Sequence, residues 1–157
     1  MGSFVFASTI AAAVGSGLIA GTFFVFSVAV MPAFRRLPGE TGMAAMKRIN
    51  EVILNPMFLG VFLGTAVVSL IQAGVSLLMW SSPGSVYLLA GCLLYLIGTF
   101  GVTVAFNVPL NNTLAAAEDH EVWKMYEPRW TAWNHVRAIA STLAVAAFTL
   151  AAGEAGR

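Results

Sequence analysis

The side chains best suited to chemistry stand close together in Trp130-Thr131-Ala132-Trp133-Asn134-His135-Val136-Arg137. They supply a guanidinium, an imidazole of the kind that serves as base or metal ligand, a carboxamide, and two indoles able to stack on flat rings. This stretch leads into an uncharged run from Ala138 to Gly153. That run is shorter than the ~20 residues a bilayer-spanning helix needs. Arg137, His135 and Asn134 are therefore drawn into the span or sit at its edge. A cation at mid-depth costs at least ~2.5–3.5 kcal/mol and is usually there for a reason. Trp130, Trp133, Asn134 and Arg137 recur at i, i+3, i+4 and i+7 and share a helix face. His135 sits on its flank, about 100° from Asn134. Arg137 also lies in the first turns of its helix, where the macrodipole disfavours a cation. It needs a specific partner: an Asn carbonyl, an exposed backbone carbonyl, Glu51 or a bound anion.

A second polar group lies at matching depth. Asn107 and Asn111 are four residues apart and share a face if their helix continues past Pro109. Asn50 and Asn55 flank the start of another apolar run, and Pro32 ends the first. Proline frees a carbonyl one turn back, and irregular backbone at membrane depth is tolerated where it is buried or lines a wet cavity. Each residue alone has an ordinary reading: Trp130 and Trp133 as an interfacial belt, Arg137 snorkelling to water, His135 hydrogen-bonded at the interface, the asparagines bridging helices or capping them. Taken together they point to a pocket.

The elements that must position these residues are membrane helices. Of 157 residues, 59% are hydrophobic and only 10% charged, against ~25% charged in soluble domains. No Asp, Glu, Lys, Arg or His occurs between Glu51 and Glu118, and Ser81-Ser82-Pro83-Gly84-Ser85 divides that stretch as a turn. The pattern predicts a single all-α domain over 1–157, an integral membrane antiparallel four-helix bundle, with spans near 8–31, 56–80, 85–107 and 133–152. The first span lacks a basic leader and is too long for a signal peptide. The unbroken apolar runs exclude β-barrel strands. Arg35, Arg36, Lys47 and Arg48, then Lys124, Arg129 and Arg137, fall in two segments, 32–55 and 108–132 with the start of the fourth helix, that share one face; Arg157 is alone on the other. The positive-inside rule makes the basic face cytoplasmic and puts both termini outside, as in a bacterial inner-membrane protein.

The net charge of +1 says nothing about nucleic acid, and no basic–aromatic array suggests it. Lone Cys92 reads as a small core residue. Glu118-Asp119-His120-Glu121 reads as a solvated face, and two His with one Cys make a strong metal site improbable, leaving only His135 with carboxylates open. Gly17–Gly21 and Gly60–Gly64 are GxxxG patterns, read as bundle packing with a homo-oligomer left open.

Residues Ala20–Pro32, Met46-Lys-Arg-Ile-Asn50, Leu54-Asn55-Pro56, Asn107-Val-Pro109-Leu-Asn111 and Trp130–Arg137 together resemble the anthrone oxygenase family of small integral membrane proteins, many of them known only as a domain of unknown function. The resemblance covers all four helices in order. It implies oxidation of an anthrone to an anthraquinone by dioxygen with no flavin, haem or metal. An anthrone's methylene proton is acidic because its loss gives an aromatic phenolate-type anion, and that anion reacts with oxygen. On this reading His135 is the base, Arg137, Asn107 and Asn111 stabilise the oxyanion, and Trp130, Trp133, Asn134, Asn50 and Asn55 bind substrate. No cofactor is expected, and the partners are a lipophilic small molecule and membrane lipid. The alternative is a non-enzymatic bundle that binds a quinone or lipid or supports a larger membrane complex. A transporter is disfavoured by the absence of an inverted repeat and of deep acidic residues.

Overall fold

The structure, a computed structural model, describes residues 2–155. Arg157, expected on the face opposite the other basic residues, lies outside the described residues. The described chain forms five continuous helices and no strand: α1 (Ser3–Arg35), α2 (Gly39–Val52), α3 (Pro56–Leu78), α4 (Ser85–Ala116) and α5 (Glu121–Ala155). All but α2 are long and apolar enough to cross a membrane.

The helices run past the expected span ends. The segments 32–55 and 108–132 are mostly helical: α1 continues to Arg35, α2 fills the first connection, α4 reaches Ala116, and α5 already begins at Glu121. Pro32 and Pro109 do not break their helices, and the reason is local. Each follows a π-helical segment, Phe26–Val30 and Thr103–Asn107. There the Met31 N–H reaches back to Phe26 O and the Val108 N–H to Thr103 O, five residues earlier. The wider turn makes room for the ring, and each proline falls in the first turn of the next α-helical segment, where its missing N–H costs least.

α3 starts as its sequence dictates. The Asn55 side chain accepts a hydrogen bond from Phe58 N at 3.0 Å and Pro56 opens the first turn. The turn into α4 closes on Gly84, whose φ of +84° admits glycine with little strain; a Cβ there would also press against Ala151 O.

The four long helices form a ring in which α1 packs on α5, α5 on α4, α4 on α3 and α3 on α1. Lipid tails are as apolar as the side chains they would replace, so close backbone approach and interhelical hydrogen bonds hold such bundles. Gly91 seats Phe148, and Gly98 admits Ala140, whose Cβ would lie 2.5 Å from a Cβ added at Gly98. By contrast Gly21, Gly60 and Gly64 of the two GxxxG patterns face open space. Polar ties cross the bundle: Tyr95 Oη donates to Phe62 O, Gln72 Nε2 donates to Val5 O, Ser8 Oγ and Thr9 Oγ1, and Thr99 and Ser141 hydroxyls pair. Cys92 is a buried core residue.

α2 adds a second, smaller core at the basic end. Its Met43 and Met46 pack with Met31, Leu114, Trp123, Tyr126 and Trp130, while Arg48 and Glu51 pair on its outer side. This amphipathic helix caps the bundle where the polar residues gather, beside the ends of α1 and α4 that follow their π-helical turns.

Candidate functional site

Arg137 is 4% exposed, well inside the bundle. Its Nη2 donates to Asn134 Oδ1 at 2.8 Å and its Nη1 to Thr103 Oγ1 at 3.3 Å. The guanidinium lies 4.0 Å over the Phe23 ring and 5.1 Å from that of Trp130, so cation–π contact replaces part of its lost hydration. Among the described residues no salt bridge reaches it; Glu51, one anticipated partner, pairs with Arg48 instead. The partner it finds is an asparagine carbonyl, that of Asn134.

Asn134 is fully buried and is itself fixed from the other side. Its Nδ2 donates to Phe23 O and to Ser27 Oγ, both at 2.8 Å. Ser27 belongs to the π-helical segment of α1 and Thr103 to that of α4. The two widened turns therefore supply groups to the same arginine cradle, in keeping with the frequency of π-bulges at functional sites.

This cradle forms one wall of a cavity of about 300 Å³, at the lower end of the ~300–1,000 Å³ typical of small-molecule sites. Aromatic rings make much of its lining. Phe58 and Phe62 are stacked at 5.9 Å, and Phe62 lies 5.6 Å from Phe100. Asn50 and Asn111 stand on the α2 side, and Trp130 and Arg137 on α5. Asn111 accepts a hydrogen bond from Tyr126 Oη at 2.9 Å, which turns its amide N–H₂ away from Tyr126. Among all the lining residues Arg137 is the one ionisable group; the others are apolar, amide or hydroxyl. Trp130 Nε1 and Arg137 Nε are buried donors with no hydrogen-bond partner among the described residues. The site sets a cation against an aromatic slot, an arrangement that can stabilise a flat anion.

The nine residues singled out from the sequence divide. Arg137, Trp130, Asn111 and Asn50 line the cavity, and Asn134 holds Arg137 from behind. Asn107 is buried and ties α4 to α5 through Trp130 O at 3.3 Å, without lining the cavity. Asn55 is an exposed helix cap, a structural role. Trp133 turns outward and stacks on Phe106, ring centroids 3.7 Å apart, beside a separate surface groove. His135 is exposed and lies outside the cavity lining. The reason is angular: five residues beyond Trp130 rotate it about 140° from the Trp130–Asn134–Arg137 face. Its placement gives no support to its role as base.

Sequence reasoning did not single out Phe23, Ser27, Thr103 or Tyr126. Thr103 carried a usable signal, since it stands four residues before Asn107 on the same face. Ser27 is a lone hydroxyl in an apolar run five residues before Pro32. Nothing in the periodicity marks Tyr126. His120 lies 3.6–3.7 Å from Glu40, Asp119 and Glu121 on the exposed surface, and among the described residues no group of three His, Cys, Asp or Glu is placed to hold a metal ion.

No curated protein and no solved structure matches the chain. The family model described as anthrone oxygenase matches residues 43–147. That range runs from α2 through most of α5 and includes Asn50, Thr103, Asn111, Trp130, Asn134 and Arg137, while Phe23 and Ser27 lie outside it. On that match over most of its length, the chain belongs to the anthrone oxygenase family.

Proposed function

We propose that this protein oxidises an anthrone-like, lipophilic aromatic substrate with dioxygen, in the cavity walled by Arg137 and without a cofactor. The observation that carries the reading is the buried guanidinium, with no carboxylate partner among the described residues, facing an aromatic slot. A cation so placed favours the substrate's anion over its neutral form, and an unscreened site strengthens the effect.

The chemistry balances simply. The methylene carbon loses a proton, and the electron pair delocalises onto the carbonyl oxygen across the central ring, which Arg137 holds. Dioxygen takes two electrons from this anion as a carbon–oxygen bond forms, giving a peroxide anion that is protonated. Loss of the remaining hydrogen on that carbon, with cleavage of the O–O bond, leaves the quinone carbonyl and one water. The first proton has no carboxylate, imidazole, amine or phenol in the lining to receive it. It passes to water, and the protein acts by making the substrate more acidic. Asn111 and Trp130 add hydrogen-bond donors beside the developing oxyanion.

The basic end, with α2, Lys47 and Lys124, is read as cytoplasmic, with both termini outside. Single cysteines at Asp119 and Ser3, probed from each side of sealed vesicles, test that orientation.

The activity is tested by oxygen uptake of detergent-solubilised protein with emodin anthrone, with chelator present, against the substrate's autoxidation. Uptake well above that background, one O₂ per anthraquinone formed, supports the reading. Uptake at background favours the second one, a bundle that binds a quinone or lipid in the same cavity. The absence of a proton acceptor from the lining is what speaks for that second reading.

A further inference from the structure

Where the cavity opens has consequences of its own. α3 packs on α4 mainly along Ser85–Gly101, the last part of which, Leu94–Gly101, is also π-helical; beyond that, α4 enters the π-helical segment Thr103–Asn107 and the cavity lies between the two helices. The rim there is made by Leu63 of α3 and by Val104 and Val108 of α4, with Leu54 from the α2–α3 connection, all of them exposed. None of the four carries a polar side chain. α3 has 23 residues, so at ~1.5 Å per residue it is ~34 Å long and crosses the whole ~30 Å hydrocarbon layer. Leu63 stands seven residues above Pro56, ~10 Å up that axis, well within the hydrocarbon.

The basic-end approach is different. There α2 lies across the bundle, its Met43 and Met46 buried in the second core with Trp123, Tyr126 and Trp130, and Lys47 Nζ ties it to Ala117 O at 2.6 Å. Entry from the basic end passes this packed helix and its half-exposed Asn50. Entry from the side passes only the exposed aliphatic side chains of Leu63, Val104 and Val108.

We propose that the gap between α3 and α4 bordered by Leu63, Val104 and Val108 is a lateral portal through which a lipophilic ligand passes directly between the bilayer interior and the Arg137 cavity. The portal selects for molecules that partition into acyl chains and excludes those carrying a fixed charge. It rests on the same cavity as the oxygenase reading and specifies how its substrate arrives.

The test needs no anthrone. Phe100, on the cavity wall, is replaced by cysteine in a Cys92→Ala background, and the protein is reconstituted in phosphatidylcholine vesicles. N-octylmaleimide and a sulfonated maleimide are compared, each normalised to its rate on a water-side Asp119→Cys control. Each methylene raises partition into the bilayer about fourfold, so the octyl reagent should modify Phe100→Cys with a preference of about a hundredfold or more. Val104→Trp, and separately Leu63→Trp, fill the gap with an indole and should slow that modification by roughly tenfold, with circular dichroism unchanged. Equal normalised rates for the two reagents, or unaltered rates in both tryptophan variants, overturn the portal. A portal that passes these tests in a protein that turns over no anthrone overturns the oxygenase reading alone.

Discussion

Replacing Arg137 by leucine separates catalysis from stability. In the wild-type protein the guanidinium is 4% exposed, is bonded to Asn134 and Thr103, and rests on Phe23 and Trp130. A unit charge about 4 Å from a substrate oxyanion, at an effective dielectric of ~20, is worth ~4 kcal/mol. That corresponds to about a thousandfold in rate, in line with the ~10²–10³ lost when one oxyanion donor is removed elsewhere. Arg137→Leu should therefore lower kcat for emodin anthrone by about a thousandfold. Stability should move little: relief from burying a cation that has no carboxylate partner is a gain, while the buried Asn134 carbonyl loses a charged hydrogen bond worth ~1.5–3 kcal/mol. The loss of cation–π contact, ~0.5–2 kcal/mol, offsets part of that gain. Oxygen uptake corrected for autoxidation gives the rate, and a thermal melt in the same detergent gives the stability. A rate within about tenfold of wild type, in a variant that melts normally, would refute the electrostatic argument.

Other perturbations discriminate roles around the cavity. His135→Ala should leave the corrected rate unchanged, because the imidazole lies on the outer face; a large loss would restore it as the base. Asn134→Leu removes the acceptor that anchors Arg137, a charged hydrogen bond worth ~1.5–3 kcal/mol, and should lower kcat by about ten- to a hundredfold, read alongside a melt. Asn55→Ala should cost ~1 kcal/mol of stability through loss of its cap and spare the rate, measured by thermal or denaturant unfolding. Gly98→Val forces a side chain into Ala140 and should cost ~1–3 kcal/mol; an unchanged melting point would show that α4 and α5 can separate without penalty.

How much was legible in the sequence varied with the physics involved. Four spans could be read because membrane helices announce themselves by apolar length. Their ends could not, because Pro32 and Pro109 look like terminators, and only the preceding π-helical turns make them tolerable. Nothing in the residue pattern encodes those turns openly. α2 was hidden inside what looked like a loop, since its amphipathic pattern is short and borrows its second core from α1, α4 and α5. The arginine cradle was half visible: periodicity placed Trp130, Asn134 and Arg137 on one face, but the same periodicity is coarse enough to admit Trp133 and His135. Trp133 stands about 60° from Trp130 and turns toward Phe106. The contributions of Phe23 and Ser27 come from a helix more than a hundred positions away in sequence, and only the packing of α1 on α5 brings them to Asn134.

The claim that this cavity holds its substrate as an anion is tested most directly without oxygen. Emodin anthrone is mixed anaerobically at neutral pH with wild-type protein and with Arg137→Leu, and the long-wavelength absorbance of the anthrone anion is recorded before an oxygen pulse. Wild type should accumulate the anion at a pH where free anthrone stays neutral, oxygen should discharge it to the anthraquinone, and Arg137→Leu should show neither. Bound anthrone that remains neutral in the wild type, or an anion that forms equally well without Arg137, would contradict it.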